Sequence, residues 1–143
     1  MLKEAYGLCG ILALLRMMIT DKGLLIILHA KQDSFLESMA EAASAVVDHF
    51  QDKIVYVNVM ANMSVDCDCR AVAKDPCLKD IGVLISTDPV AIDRACIDLV
   101  LESKDIGRNH FMERVTSRNG KHTIDAAAEL GIGVKKYELI EIK

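Results

Sequence analysis

The sequence contains no tryptophan, and aromatic residues make up only 4% of its 143 residues. Proteins that bind single-stranded nucleic acid stack the bases on aromatic side chains, so this composition argues against such a surface. The chain also has no excess of basic residues, because its formal net charge at pH 7 is −4. Phosphate backbones are bound mainly by lysine and arginine. We therefore expect no nucleic-acid partner.

A long apolar run is also missing. The stretch LCGILALLRMMI, residues 8–19, is interrupted by Arg16, whereas a membrane-spanning helix needs about 20 apolar residues. A signal peptide would need a cleaner apolar run before a small-residue cleavage site. We therefore expect a cytoplasmic protein without a membrane partner, in which residues 8–19 form a buried or interface helix. Membrane association and targeting are the alternatives.

The chain has five cysteines, but no closely spaced group of four of the kind that a ferredoxin-type cluster requires. Disulfide-stabilised scaffolds are usually shorter, richer in cysteine and secreted. We therefore interpret the thiols as reduced, and either buried or bound to a metal. The sequence also lacks a Ser-His-Asp order, a glycine-rich phosphate loop and a zinc-protease helix.

Alternating apolar patterns predict a single α/β domain over residues 1–143. Helical spacing or capping signals, among them Asp88 followed by Pro89, predict helices at 2–19, 34–50, from 88 onwards and at 123–130. Short apolar or alternating runs predict strands at 23–30, 53–60, 81–86 and 136–142. Residues 105–121 are polar and predict a surface loop with a helical turn near 111–115.

Strands that alternate with helices are typical of a parallel sheet. The fold class that we predict is therefore α/β, with a mostly parallel sheet of about four strands flanked by helices. No helical pattern separates the strands at 53–60 and 81–86, so an antiparallel pairing of these two remains an alternative.

The stretch NMSVDCDCRAVAKDPC, residues 62–77, carries three of the five cysteines. In an extended segment Cys67 and Cys69 point to the same side, so one metal could contact both sulfurs. Cys77 could supply a third ligand. Thiolates bind zinc or iron, and carboxylates such as Asp66 and Asp88 add oxygen ligands.

Other roles for these residues remain open. His29, His49 or His122 could replace Asp88 as the fourth ligand. The cysteines could form a redox disulfide, or be small residues in a tight loop whose aspartates cap turns. Asp88 also fits a helix N-cap, and Asp93 is expected to be exposed or ion-paired.

Four segments resemble one known family: VVDHF, KIVYVNVMANMSVDCDC, DIGVLISTDPVAIDRACIDLV and AAAELGIGVKKYELIEI. They are similar to the carboxyl-terminal part of the uncharacterised iron–sulfur-centre proteins, the family called domain of unknown function three-six-two. We take residues 33–143 as the family-like region and residues 1–30 as an atypical N-terminal segment.

The resemblance implies an iron–sulfur or redox association, because longer members of the family often carry a ferredoxin module with two clusters. This chain lacks the cysteines of that module. The first hypothesis is therefore a metal-binding or redox-associated domain, whose partner would be a ferredoxin-like redox protein. The alternatives are an enzyme that uses Asp66, Asp88 and a histidine as acid–base groups, and a noncatalytic assembly domain that forms a homo-oligomer.

Overall fold

A computed structural model describes residues 31–51, 53–65 and 75–142 of the chain. Its helices are α1 (Gln32–Phe50), α2 (Pro89–Glu102), α3 (Gly107–Ser117) and α4 (Lys121–Glu129), and its strands are β1 (Tyr56–Met60) and β2 (Gly82–Ser86). The helix predicted at 2–19 and the strand predicted at 23–30 lie outside the described residues. Within the described ranges, no helix is both long and apolar enough to cross a membrane.

Helix α1 confirms the helix predicted at 34–50. One face of the helix packs against α4. The buried residues recur at helical spacing along that face and are Leu36, Met39, Ala40 and Ala43. Polar contacts hold the first half of the helix in place. Asp33 accepts a hydrogen bond of 2.7 Å from the Asn119 side chain, and Glu37 lies 2.9 Å from the imidazole of His122.

Helix α2 begins where the sequence predicts. Asp88 is the N-cap, and Pro89 occupies the start of the helix, where its missing N–H is not needed. The helix packs across one face of the sheet. Val90, Cys96, Ile97 and Val100 of this helix join buried residues of the other three helices and Met60, Met63 and Leu78 in one apolar core.

The prediction of a mostly parallel sheet of about four strands is wrong. The described residues form a two-stranded antiparallel sheet, with Tyr56 opposite Ser86 and Met60 opposite Gly82, together with four helices. The physical reason lies in the connection. A parallel pair needs a crossover, whereas here Met63 and Leu78 form an antiparallel bridge just beyond the strands. The chain therefore turns back on itself, as the alternative pairing anticipated.

The predicted loop at 105–121 is also wrong, because residues Gly107–Ser117 form helix α3. Few of its side chains are apolar, but Phe111 and Val115 lie one turn apart and are both buried. The carboxylate of Asp105 accepts a 2.8 Å hydrogen bond from the N–H of Gly107 and so supports the start of the helix. Helix α4 confirms the helix predicted at 123–130, and Gly131 follows it with a φ of 77°.

The predicted edge strand at 136–142 is wrong as well. These residues adopt no regular structure, and the segment that contains them is tied to helices. The N–H of Val134 donates to Asp88, the hydroxyl of Tyr137 donates to Asp98 at 3.0 Å, and Lys135 pairs with Asp125. The alternation of apolar residues therefore does not reflect pairing with the sheet.

Candidate functional site

Residues 62–77, here called the cysteine-rich loop, are closed at their base by backbone contacts. The N–H of Cys77 donates a 2.9 Å hydrogen bond to the carbonyl oxygen of Met63, beside the bridge between Met63 and Leu78. Between this bridge and the strands, the N–H of Asn62 donates to the carboxylate of Asp80 at 2.8 Å. Residues 63 and 77 therefore lie side by side, although 13 positions separate them.

Three of the predicted metal ligands, Asp66, Cys67 and Cys69, lie outside the described residues. The structure does place Cys77, which is half-buried at the base of the loop and has a free thiol. Over the described part of the chain, no group of three or more His, Cys, Asp or Glu residues is arranged to hold a metal ion. The predicted metal set of Asp66, Cys67, Cys69, Cys77 and Asp88 stays a prediction.

The structure confirms the predicted role of Asp88 as a helix cap. One carboxylate oxygen accepts hydrogen bonds from the N–H groups of Val90 and Ala91, at 2.9 and 2.8 Å. The other oxygen accepts from the N–H of Val134 at 2.9 Å. Gly133 allows this approach, because a Cβ atom at that position would overlap the Asp88 carboxylate. Asp88 thus caps α2 and fastens the C-terminal segment to it.

A buried polar cluster joins the sheet to α2, and the sequence interpretation missed it. The side-chain amide of Asn58 donates to the carboxylate of Asp93 at 2.9 Å and to the thiol of Cys96 at 3.3 Å. Asp93 is only 3% exposed, which corrects the expectation that it is exposed or ion-paired. The sequence did contain a sign of this burial. Cys96 and Ile97, which belong to the apolar face of the helix, follow Asp93 by three and four positions, so Asp93 lies on the same face.

Burial changes the acidity of both groups in this cluster. Burial raises the pKa of Asp93 to about 6, although the hydrogen bond from Asn58 acts in the opposite direction. Burial also raises the pKa of the Cys96 thiol to about 11. The negative charge of Asp93 raises this pKa as well, whereas the hydrogen bond from Asn58 lowers it. The thiol of Cys96 is therefore protonated and unreactive near neutral pH, whereas Asp93 changes charge in mildly acidic solution.

The hydroxyl of Tyr56 is a second buried polar group. It lies on the face of β1 that is covered by α2, and it finds no hydrogen-bond partner among the residues that the structure describes. Burial raises the pKa of this phenol, and the negative charge of Asp88 raises it further. The phenol is therefore kept neutral beside the capping carboxylate.

An open cleft of about 560 Å³ lies between the end of α1 and the turn that leads from β2 into α2. Its lining combines the polar side chains of Asp48, Gln51 and Thr87 with apolar ones from Val47, Ile54, Pro89 and Ile132. Neither Asp88 nor Cys77 lines it. The cleft and the base of the cysteine-rich loop are therefore distinct features.

A family model described as Domain of unknown function (DUF362) matches residues 8–98 of the chain. The chain belongs to the DUF362 family. No curated protein and no solved structure matches it significantly. The family resemblance of the sequence is thus confirmed, and the DUF362 match begins at residue 8, upstream of the family-like region at 33–143.

The features described above fall largely within the matched part of this DUF362 chain. Residues 8–98 include both strands, the cysteine-rich loop with its base, and the first turns of α2 with Asp88, Asp93 and Cys96. Helices α3 and α4 and the C-terminal segment follow the matched range. The loop base and the Asn58–Asp93–Cys96 cluster therefore belong to the DUF362 part of the chain.

Proposed function

We propose that this DUF362 chain is a metal-binding domain that holds zinc or iron in its cysteine-rich loop through the thiolates of Cys67, Cys69 and Cys77. The observation that supports the proposal is the closed base of the loop, where the N–H of Cys77 donates to the carbonyl of Met63. A closed loop limits how far its residues can move from Cys77. Limiting that distance lowers the entropy lost when distant ligands converge on one ion.

The chemistry of the donor set favours a cation. Asp66, Asp68 and Asp75 lie in the same stretch as the thiols, and neighbouring negative charges raise the pKa of a thiol. A bound zinc or iron ion offsets that charge, so it would stabilise the thiolate form that binds it. Asp66 is the proposed oxygen ligand.

Asp88 is better explained as a structural residue than as a ligand. Backbone N–H groups already occupy both of its carboxylate oxygens. Cys96 is also excluded from the proposed ligands, since its buried thiol has a raised pKa and lies between β1 and α2. Cys96 therefore supplies a matched control, because removing it lowers the cysteine count without touching the proposed site.

The partner that we propose for this site is a ferredoxin-like redox protein, with electron transfer or assembly as the role of the domain. The support comes from the sequence. Longer proteins of the family that this chain resembles often carry a ferredoxin module, and the chain lacks the grouped cysteines of such a module.

Elemental analysis of the purified chain tests the metal proposal. We expect zinc or iron in near-stoichiometric amounts in the wild type and in the control variant C96A. The double variant C67A/C69A should lose the metal, and C77A should bind it more weakly. An ultraviolet–visible spectrum distinguishes the ions, because iron–thiolate sites absorb visible light and zinc–thiolate sites do not. A wild-type chain free of both metals, or equal metal in C67A/C69A, would refute the proposal.

A further inference from the structure

One face of the two-stranded sheet is apolar, and no helix or strand among the described residues packs on it. The face toward α2 carries Tyr56, Asn58 and Met60. The opposite face, here called the outer face, carries Val57 opposite Ile85 and Val59 opposite Val83. These four side chains are between 53% and 70% exposed, and the preceding Val55 is 62% exposed.

Nothing in the two strands protects this face from association. Neither β1 nor β2 contains a charged residue, so no charge on the strands opposes the burial of this face. Antiparallel sheets that face water on one side normally alternate apolar and polar residues. Here valine and isoleucine occupy the outward positions, so the outer face has the composition of a buried surface.

The size of the outer face limits what can cover it. Five partly covered aliphatic side chains expose a few hundred Å² at most, roughly half of the about 800 Å² that each partner buries in a stable protein–protein interface. A second copy of the chain would gain too little from this face alone. A segment of the same chain can use a patch of this size, because it loses no translational freedom on docking.

We propose that residues 8–30 of the same chain dock on the outer face of the sheet. These residues lie outside the described part of the chain, and their sequence and position support the proposal. The segment is largely apolar, with LCGILALLRMMI and GLLIILHA on either side of a short polar stretch, and it leads directly into α1. The family match joins residues 8–30 to both strands in one family domain.

Tryptophan fluorescence tests the docking, because the natural chain contains no tryptophan. The variant I85W places a reporter on the outer face, and I106W places one in the turn before α3, where Ile106 is 82% exposed. We expect I85W to emit at shorter wavelength and to be quenched several-fold less by acrylamide than I106W. Equal quenching of the two variants would show that the face is open and would overturn the proposal.

The covering segment is identified by a second substitution. Adding L12D and L15D to I85W should raise its quenching to the level of I106W while the helical circular dichroism is retained. Adding I140D and I142D, which place the same charges in the exposed C-terminal segment, should change nothing. Quenching of I85W that is insensitive to L12D/L15D, or that depends on protein concentration, would contradict docking by the chain's own segment.

Photo-crosslinking keeps the test decisive if L12D/L15D unfolds the chain. The photoreactive amino acid p-benzoylphenylalanine is incorporated at position 85 of the otherwise unchanged full chain and irradiated. We expect cross-linked peptides from residues 8–30, recovered from the monomer band. Cross-links to any other segment, or a cross-linked dimer, would overturn the proposal; the dimer would point to a second copy of the chain. Neither experiment depends on metal content.

Discussion

The side-chain amide of Asn58 donates a hydrogen bond of 2.9 Å to the carboxylate of Asp93, across the interface between β1 and α2. Asp93 has almost no contact with solvent. A buried carboxylate in this position is stable only with such a donor, because desolvation penalises its charged form. The pair therefore makes the stability of the sheet–helix interface depend on pH.

The first prediction concerns that pH dependence. The pKa of Asp93 is about 6 in the folded chain, above its ordinary value of 3.8, so the folded state binds the proton more tightly than the unfolded state. The stability contribution of this group is therefore complete below pH 4 and is lost as the pH rises from about 4 to 6. At about 1.4 kcal/mol per pKa unit, the loss is on the order of 3 kcal/mol.

The variant D93N should keep its stability as the pH rises, since an amide stays neutral and its oxygen can still accept a hydrogen bond from Asn58. Chemical denaturation from pH 4 to 7 measures the effect. D93N should be the more stable chain at pH 7, with an advantage that shrinks toward pH 4. The control D48N removes an exposed carboxylate and accounts for the change in net charge. An advantage of D93N over the wild type that is the same at both pH values would disprove the prediction.

The second prediction is that N58A destabilises the chain by about 2–3 kcal/mol at pH 7, because it leaves the buried carboxylate of Asp93 without its donor. The hydrogen bond from Asn58 lowers the pKa of Asp93, so that pKa should rise further in N58A. At pH 4, where Asp93 is protonated, the destabilisation should be smaller. The exposed N109A on α3 serves as the control, and carbon-detected NMR titration of the Asp93 carboxyl follows the pKa directly.

The sequence predicts those parts of the fold that local chemistry determines. The cap at Asp88 and the proline after it predict the start of α2, and the apolar spacing of Leu36, Met39, Ala40 and Ala43 predicts α1. Both helices form where expected. Helix α3 is predicted only as a helical turn near 111–115, because its few apolar side chains, among them the buried Phe111 and Val115, stand in an otherwise polar segment.

Strand direction and the buried cluster depend on contacts between distant residues. The antiparallel pairing of β1 and β2 is established by the turn back through Met63 and Leu78, whose partnership no local pattern encodes. Asp93 is misjudged because a lone carboxylate is usually exposed, and its burial depends on Asn58, which lies 35 positions earlier. The loop residues Cys67 and Cys69 remain sequence predictions.

The third prediction separates the two roles of Asp88. D88A should destabilise the chain by about 2–3 kcal/mol, because it removes the α2 cap and the acceptor for the N–H of Val134. D88N keeps a carbonyl oxygen for Val90 and Ala91, so most of the cap energy should remain. Urea denaturation of the two variants gives the comparison.

Metal content of D88N then tests the ligand prediction for this residue. Because backbone donors occupy its carboxylate, we expect D88N to bind as much zinc or iron as the wild type. A folded D88N chain that has lost its metal would instead support Asp88 as a ligand.

The fourth prediction links α3 to the cysteine-rich loop. A Cβ atom on Gly107 would overlap the backbone carbonyl of Cys77, and a backbone group cannot move aside as a flexible side chain can. G107A should therefore displace the base of the loop and destabilise the chain by about 1–3 kcal/mol, as overpacked substitutions do. N109A, which adds no atoms toward Cys77 on the same helix, is the matched control.

Under the metal proposal, G107A should also bind zinc or iron more weakly than N109A, although Gly107 is not a ligand. Denaturation and elemental analysis of both variants decide the matter, and a G107A chain as stable as N109A would show that α3 does not hold the loop base.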